Sequence, residues 1–196
     1  MRKFDQILDS QFANCEFLLS LGKIPAMKLH KGMRPHDIAV LLKIAAKKEQ
    51  PWLNKDLAAE LFISPSEITE SLGRSVIAGL IDPARKKIFR RSLLDFLLHG
   101  LKYVFPAVPG SLVKGMPTAQ SAPLMSSYFT SDEKYVWPDA NGKERGMQVE
   151  PLYPGATKAA ANDKLLYDLL ALCDVIRVGK VREVKKGEEL LQKFLN

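Results

Sequence analysis

Apolar residues recur at helical spacing from the first residues of the chain. Phe4, Ile7, Leu8, Phe12, Cys15 and Leu18 or Leu19 fall on one face, with Asp5, Asp9, Gln11 and Asn14 on the other. This pattern predicts an amphipathic helix that either packs on its own domain or serves as an intersubunit arm. Gly22, Pro25 and Gly32 then break the chain into a basic loop carrying Lys23, Lys28, His30, Lys31 and Arg34. The helical period returns in RPHDIAVLLKIAAKK, where Ile38, Leu41, Leu42 and Ala45 make one stripe and EQPW ends it. NKDLAAELF follows, with Asn54 as the expected N-cap and Leu57, Ala58 and Leu61 inward.

A short turn leads into FISPSEITESLGRSVIAGL. Ser64-Pro65-Ser66-Glu67 fits the S-x-x-E capping box: Ser64 caps, Pro65 takes the first helical position, and Glu67 reaches back to the cap amide. Ile68, Leu72 and Val76 with Ile77 form the expected inward stripe, leaving Ser66, Thr69, Glu70, Gly73 and Arg74 outside. Glu70 has two readings, as an acceptor for cytosine N4 or as the partner of Arg74 four residues on; the surface pair is the ordinary outcome.

Beyond Asp82-Pro83 the pattern turns basic. Arg85, Lys86, Lys87, Arg90 and Arg91 follow without an intervening acid, the strongest cationic cluster in the chain. SLLDFLLHGLKYVF is then so apolar at Leu93, Leu94, Phe96, Leu97, Leu98 and Leu101 that it must be buried in a core or a subunit interface. His99, flanked by leucines, reads as a core or interface histidine. Seven prolines between Pro106 and Pro154 exclude long helices there, while Tyr128, Phe129, Tyr135, Trp137 and Tyr153 argue against disorder. KYVWPDANGKERGMQV predicts a hairpin, with Tyr135 and Trp137 on one strand, Met147 and Val149 on the other, and Asn141-Gly142 near the turn. The helical period resumes in NDKLLYDLLALCDVIRVG, with Asn162 as cap and Leu165, Leu166, Leu169, Leu170 and Cys173 on one face, and again in GEELLQKFL. Between them lies a basic hinge of Arg177, Lys180, Arg182, Lys185 and Lys186. The chain therefore divides into an N-terminal helix and loop (1–34), a helical domain with its following helix (35–105), a Pro/Gly/aromatic-rich extension (106–160) and C-terminal helices (161–196).

Composition adds the chemistry. A net charge of +7 favours an acidic partner. Cys15 and Cys173 are too few and too far apart for a disulfide framework or a zinc site, which implies a reducing cytoplasm. Asp5, Asp9 and Glu16 interrupt any apolar run at the N-terminus, so neither a signal peptide nor a membrane span is expected. GSLVKGMPTAQSAP lacks the residue order of a phosphate loop, and DANG lacks the carboxylate series of a calcium loop. His30, His36 and His99 are scattered, and no serine or cysteine stands in a nucleophile context. The expectation is a non-enzyme without cofactor or metal.

Three short-turned helices followed by a basic hairpin are the order of a winged helix-turn-helix. LLKIAAKKEQPWLNKDLAAELFISPSEITESLGRSVIAGLI resembles the winged-helix domain of bacterial transcriptional regulators of the MarR-like group, over about residues 35–91. The resemblance implies a mainly α fold, a homodimer, and a helix beginning SPSEIT that enters the major groove. It makes Ser64, Ser66, Thr69, Glu70 and Arg74 candidate groove contacts. Lys55, Arg85, Lys86, Lys87, Arg90 and Arg91 become candidate phosphate contacts. The expected function is sequence-specific binding of double-stranded DNA by a dimeric repressor, with an extension that senses a small-molecule effector or docks a protein. The alternative is an antitoxin-like protein-interaction module in which DNA binding is secondary or lost.

Overall fold

The computed structural model describes residues 32–48, 50–129 and 133–195, and residues from Gly32 onward form one compact unit. The expected N-terminal helix and most of the basic loop after it lie outside the described residues. The fold is mainly α with a small three-stranded sheet.

Helix α1 (Pro35–Lys47) starts at a proline, and its Asp37 carboxylate accepts the Arg34 amide at 2.8 Å, closing the first turn. Every residue from Asp37 to Ala45 is buried, so α1 is a central helix rather than one with a single apolar stripe. Helix α2 (Asn54–Leu61) is capped differently from expectation. Leu53 occupies the N-cap, Asp56 accepts its amide at 3.1 Å, and Asn54 is the first helical residue. Phe62, with φ of 56°, ends the helix in the left-handed region. Helix α3 (Pro65–Ile77) begins as half of the expected box: Ser64 Oγ accepts the Glu67 amide at 3.2 Å, while the Glu67 carboxylate turns elsewhere. Gly79, with φ of +69°, supplies the left-handed residue that lets the chain leave α3. Residues 80–89 then double back through one antiparallel bridge, Ile81 to Ile88. The apolar run after this hairpin splits at Gly100 into α4 (Arg90–His99) and α5 (Leu101–Val104); Leu93, Leu94, Leu97 and Leu101 are buried and His99 is exposed, contrary to its core reading.

The extension is more ordered than its prolines suggest. Strand β1 (Leu112–Pro117) pairs antiparallel with both β2 (Tyr135–Pro138) and β3 (Glu144–Gln148). The predicted β2–β3 hairpin is therefore overturned. Those two strands run parallel, with Tyr135 opposite Met147, because β1 supplies the antiparallel partner to each. The three strands close on one another, so tightly that a Cβ on Gly115 would collide with the Trp137 carbonyl. A 3-10 turn (Ala119–Ser121) and a short helix α6 (Pro123–Ser126) connect β1 to β2.

Helices α7 (Ala156–Asn162), α8 (Lys164–Val178) and α9 (Val181–Leu195) complete the unit. The cap of α8 is Asp163, which accepts the Leu166 amide at 3.0 Å, and Asn162 ends the preceding helix. Leu166, Leu169, Leu170 and Cys173 are buried as expected, but Leu165 is exposed. The basic hinge is not a hinge: from Val181 it is the first turns of α9. One apolar core runs from Ile38 in α1 through Trp137 in the sheet to Leu195 in α9. No helix among the described residues is long and apolar enough to cross a membrane.

Candidate nucleic-acid interface

A cluster of charges lies at the inner side of α3. Arg74 Nε and Nη2 donate to the two oxygens of Asp37 at 2.8 and 2.7 Å, and Nη2 also reaches Glu67 at 2.6 Å. His36 Nε2 lies 2.8 Å from the same Glu67 oxygen, and Arg34 Nη1 donates to both oxygens of that carboxylate at 3.2 Å. Burial pushes the Glu67 carboxyl up, but hydrogen bonds from Arg74 and His36 outweigh it and hold the group below its ordinary 4.5. Hydrogen bonding to Asp37 raises the Arg74 guanidinium above its already high range, against burial.

Two expectations are corrected here. Arg74 does not face outward: it is 8% exposed and faces a buried carboxylate on α1. Its pairing with Glu70 is present at 3.5 Å but is the longest of its ion pairs. Ile77 shows the opposite displacement, being 65% exposed, while Ser71 and Ser75 take the inward places. The helix is rolled so that its buried face is Ile68, Ser71, Leu72, Arg74 and Ser75. Its outward face carries Ser66, Thr69, Glu70 and Ile77, with half-buried Gly73 at its edge, and no cation.

Cations instead flank that face. Ser64 and Ser66 sit at the α3 N-terminus with hydroxyls 3.1 Å apart, and Thr69 accepts from Asn54 Nδ2 at 3.0 Å, tying the start of α2 to α3. Lys55, next to Asn54, is exposed. Beside this contact a groove of about 530 Å³ runs between the start of α2 and the hairpin, with Trp52, Lys48, Gln50, Arg85 and Lys86 on its walls. Lys48, Gln50 and Trp52 escaped the sequence reading, because they stand in the α1–α2 loop and only the fold brings them to the hairpin. Arg85 leans over α3, its Nη2 3.7 Å from where a Cβ on Gly73 would lie.

The hairpin is held by one carboxylate. Asp82 Oδ1 accepts the amides of Lys86 and Lys87 at 2.6 and 2.7 Å, and these backbone hydrogen bonds, against desolvation, hold its pKa below the ordinary 3.8. Arg85 adopts a left-handed φ of 58° at the tip. The side chains of Arg85, Lys86 and Lys87 are thereby turned to solvent. Arg90 is separated from them: its Nη2 donates to the Ala45 carbonyl at 3.1 Å and so clamps the C-terminal part of α1. Arg91 is exposed and pairs with Asp95 at 3.3 Å. Three of the downstream cations are engaged as well, Arg177 with Asp174 at 2.7 Å and Lys180 with Glu133 at 2.8 Å. Lys186 pairs with Glu189 at 3.0 Å and lies 4.5 Å from the Tyr128 ring centroid.

Among the described residues no group of three or more His, Cys, Asp or Glu is arranged to hold a metal ion. Comparison with protein-family models, with curated proteins and with solved structures finds no match.

Proposed function

We propose that residues 35–91 act as a winged helix-turn-helix that binds double-stranded DNA, in a homodimeric transcriptional repressor. The observation that carries this reading is the cationic groove beside the polar face of α3, where Lys48, Arg85 and Lys86 meet around Trp52. In this arrangement Ser66 and Thr69 meet base edges, while Ser64 and the amides of the α3 N-terminus meet a phosphate. Lys48, Lys55 and the hairpin cations neutralise phosphates on either side, the pattern of a protein whose affinity comes from the backbone and whose register comes from the helix. Dimerisation follows from the resemblance to MarR-like regulators and would match two-fold half-sites.

One observation favours a second reading. The outward face of α3 has Ile77 65% exposed and Glu70 as its charged member, a surface suited to a protein partner as in an antitoxin-like module. Fluorescence anisotropy of the whole protein with a labelled random duplex, titrated over salt, separates the two. Steeply salt-dependent binding supports the DNA reading; absence of binding at physiological salt removes it and leaves the protein partner.

A further inference from the structure

The groove between the start of α2 and the hairpin holds an aromatic ring among its cations, Trp52 beside Lys48, Arg85 and Lys86. The indole is half-buried and packs against the core, but among the described residues no other ring and no cation stacks on it. Its N–H has no hydrogen-bond partner there and is not a buried atom, so it keeps contact with solvent. Lys48, Arg85 and Lys86 have no ion-pair partner among the described residues, and the described lining contains no carboxylate. Two of these cations stand on left-handed backbone, Lys48 at φ of 53° and Arg85 at φ of 58°. That conformation is costly for a residue with a Cβ and recurs at ligand clamps.

Phosphates alone leave the ring unused. In a duplex each base face is covered by its neighbours and only edges reach the grooves, so paired DNA offers Trp52 no base to stack on. An unpaired nucleotide supplies both halves of the site, a free base face for the indole and flanking phosphates for the cations. The groove volume of about 530 Å³ lies within the range of about 300–1,000 Å³ usual for sites of small-molecule size. We propose that this groove takes one unpaired nucleotide of a nucleic-acid strand, its base stacked on Trp52 and its phosphates between Lys48, Arg85 and Lys86. A duplex with a single-stranded end then binds better than a blunt one. The position of that duplex beside α3 rests on the DNA reading; the stacking on Trp52 does not.

The test measures, by anisotropy, binding of the whole protein to three probes: a blunt duplex, that duplex with a short thymidine overhang, and the same overhang built of abasic nucleotides, which keep the phosphates and lack the bases. The thymidine overhang should bind at least about fivefold tighter than the abasic one, the lower end of what a stacked base contributes. Trp52→Leu should lose that preference and keep its affinity for the blunt duplex, while Trp52→Phe should retain part of it. Equal binding of the two overhangs by wild type would overturn the proposal, leave the DNA reading intact and require no variant. A folded Trp52→Leu protein with an undiminished preference would overturn it too. If no duplex binds, the DNA reading falls and oligothymidylate decides the stacking by itself. A saturable loss of tryptophan emission in wild type that is absent in Trp52→Phe would then uphold it, and no loss would overturn it. Thymidine 5′-monophosphate binding as tightly as oligothymidylate would also overturn it, by making the groove a pocket for a free nucleotide.

Discussion

Arg74 on α3 and Asp37 on α1 form a two-pronged ion pair, Nε to Oδ2 at 2.8 Å and Nη2 to Oδ1 at 2.7 Å, with the Asp37 side chain wholly buried. The pair ties α3 to α1 on the buried side of the helix, away from the face that carries Ser66 and Thr69. Removing one partner strands the other charge away from water, which typically costs about 3–5 kcal/mol. Arg74→Ala should therefore lower stability by that order in urea unfolding, and Arg74→Lys should also destabilise because an ammonium cannot reproduce the fork. Under conditions where the variant remains folded, DNA affinity should be little changed. A large loss of affinity in a fully folded Arg74→Ala protein would instead make Arg74 a groove contact.

The inward turn of Arg74 marks where sequence reading ends. The three helices before the hairpin were legible because Pro35, Ser64, Pro65 and the apolar spacing are local signals. A buried arginine has the same spacing as an exposed one, and its partner here lies 37 residues upstream. The same limit applies to the sheet. The hairpin reading of β2 and β3 leaves LVKGMP out, yet as β1 it pairs antiparallel with both of those strands, which pair with each other in parallel. Caps were legible only as neighbourhoods: Asn54 and Asn162 were each one residue from the true cap.

The groove cations should dominate the salt dependence of DNA binding. Each cation that neutralises a phosphate contributes about 0.9 to the slope of log affinity on log salt. The Lys48→Ala/Arg85→Ala/Lys86→Ala variant should show a flatter slope and weaker binding in anisotropy, with an unchanged melting temperature because these side chains line an open groove. Arg90→Ala should differ in kind, losing stability through the lost bond to the Ala45 carbonyl. Equal slopes for wild type and the triple variant would place the phosphate contacts elsewhere.

Asp174 joins the sheet to α8. It accepts Thr118 Oγ1 at 2.8 Å, Trp137 Nε1 at 2.6 Å and Arg177 Nη1 at 2.7 Å, and is itself 1% exposed. Asp174→Ala leaves the buried indole N–H and the Thr118 hydroxyl without their acceptor and takes the carboxylate from Arg177, which keeps only the Phe105 and Glu150 carbonyls, an expected loss of about 3–5 kcal/mol. The protein contains two tryptophans, so fluorescence in a Trp52→Phe background reports Trp137 alone. That signal should shift to the red in Asp174→Ala at denaturant concentrations where the parent is still folded. An unchanged unfolding midpoint would show that the network contributes nothing net.

Asp163 offers a test by pH, because its two duties can be separated. It caps α8 through the Leu166 amide at 3.0 Å and pairs with Lys43 Nζ at 2.6 Å. Burial raises its pKa, but the hydrogen bond from Lys43, that from the Leu166 amide and the attraction of the ammonium outweigh it, so the carboxyl lies below its ordinary 3.8. A carboxyl lowered on folding stabilises the protein above its unfolded value, and the stabilisation disappears as pH falls through the folded one. Asn caps helices about as well as Asp, so Asp163→Asn keeps the cap and removes the charge, leaving Lys43 to Glu60 at 2.7 Å. At neutral pH the variant should be less stable by about 1–2 kcal/mol, the scale of a partly buried charged hydrogen bond. The gap should narrow below the ordinary carboxyl value and close once pH has fallen beneath the folded one, a window that thermal melts from neutral pH to about pH 2 would cover. A gap that stays constant over the whole range would assign the effect of the substitution to the cap and packing rather than to the charge pair with Lys43.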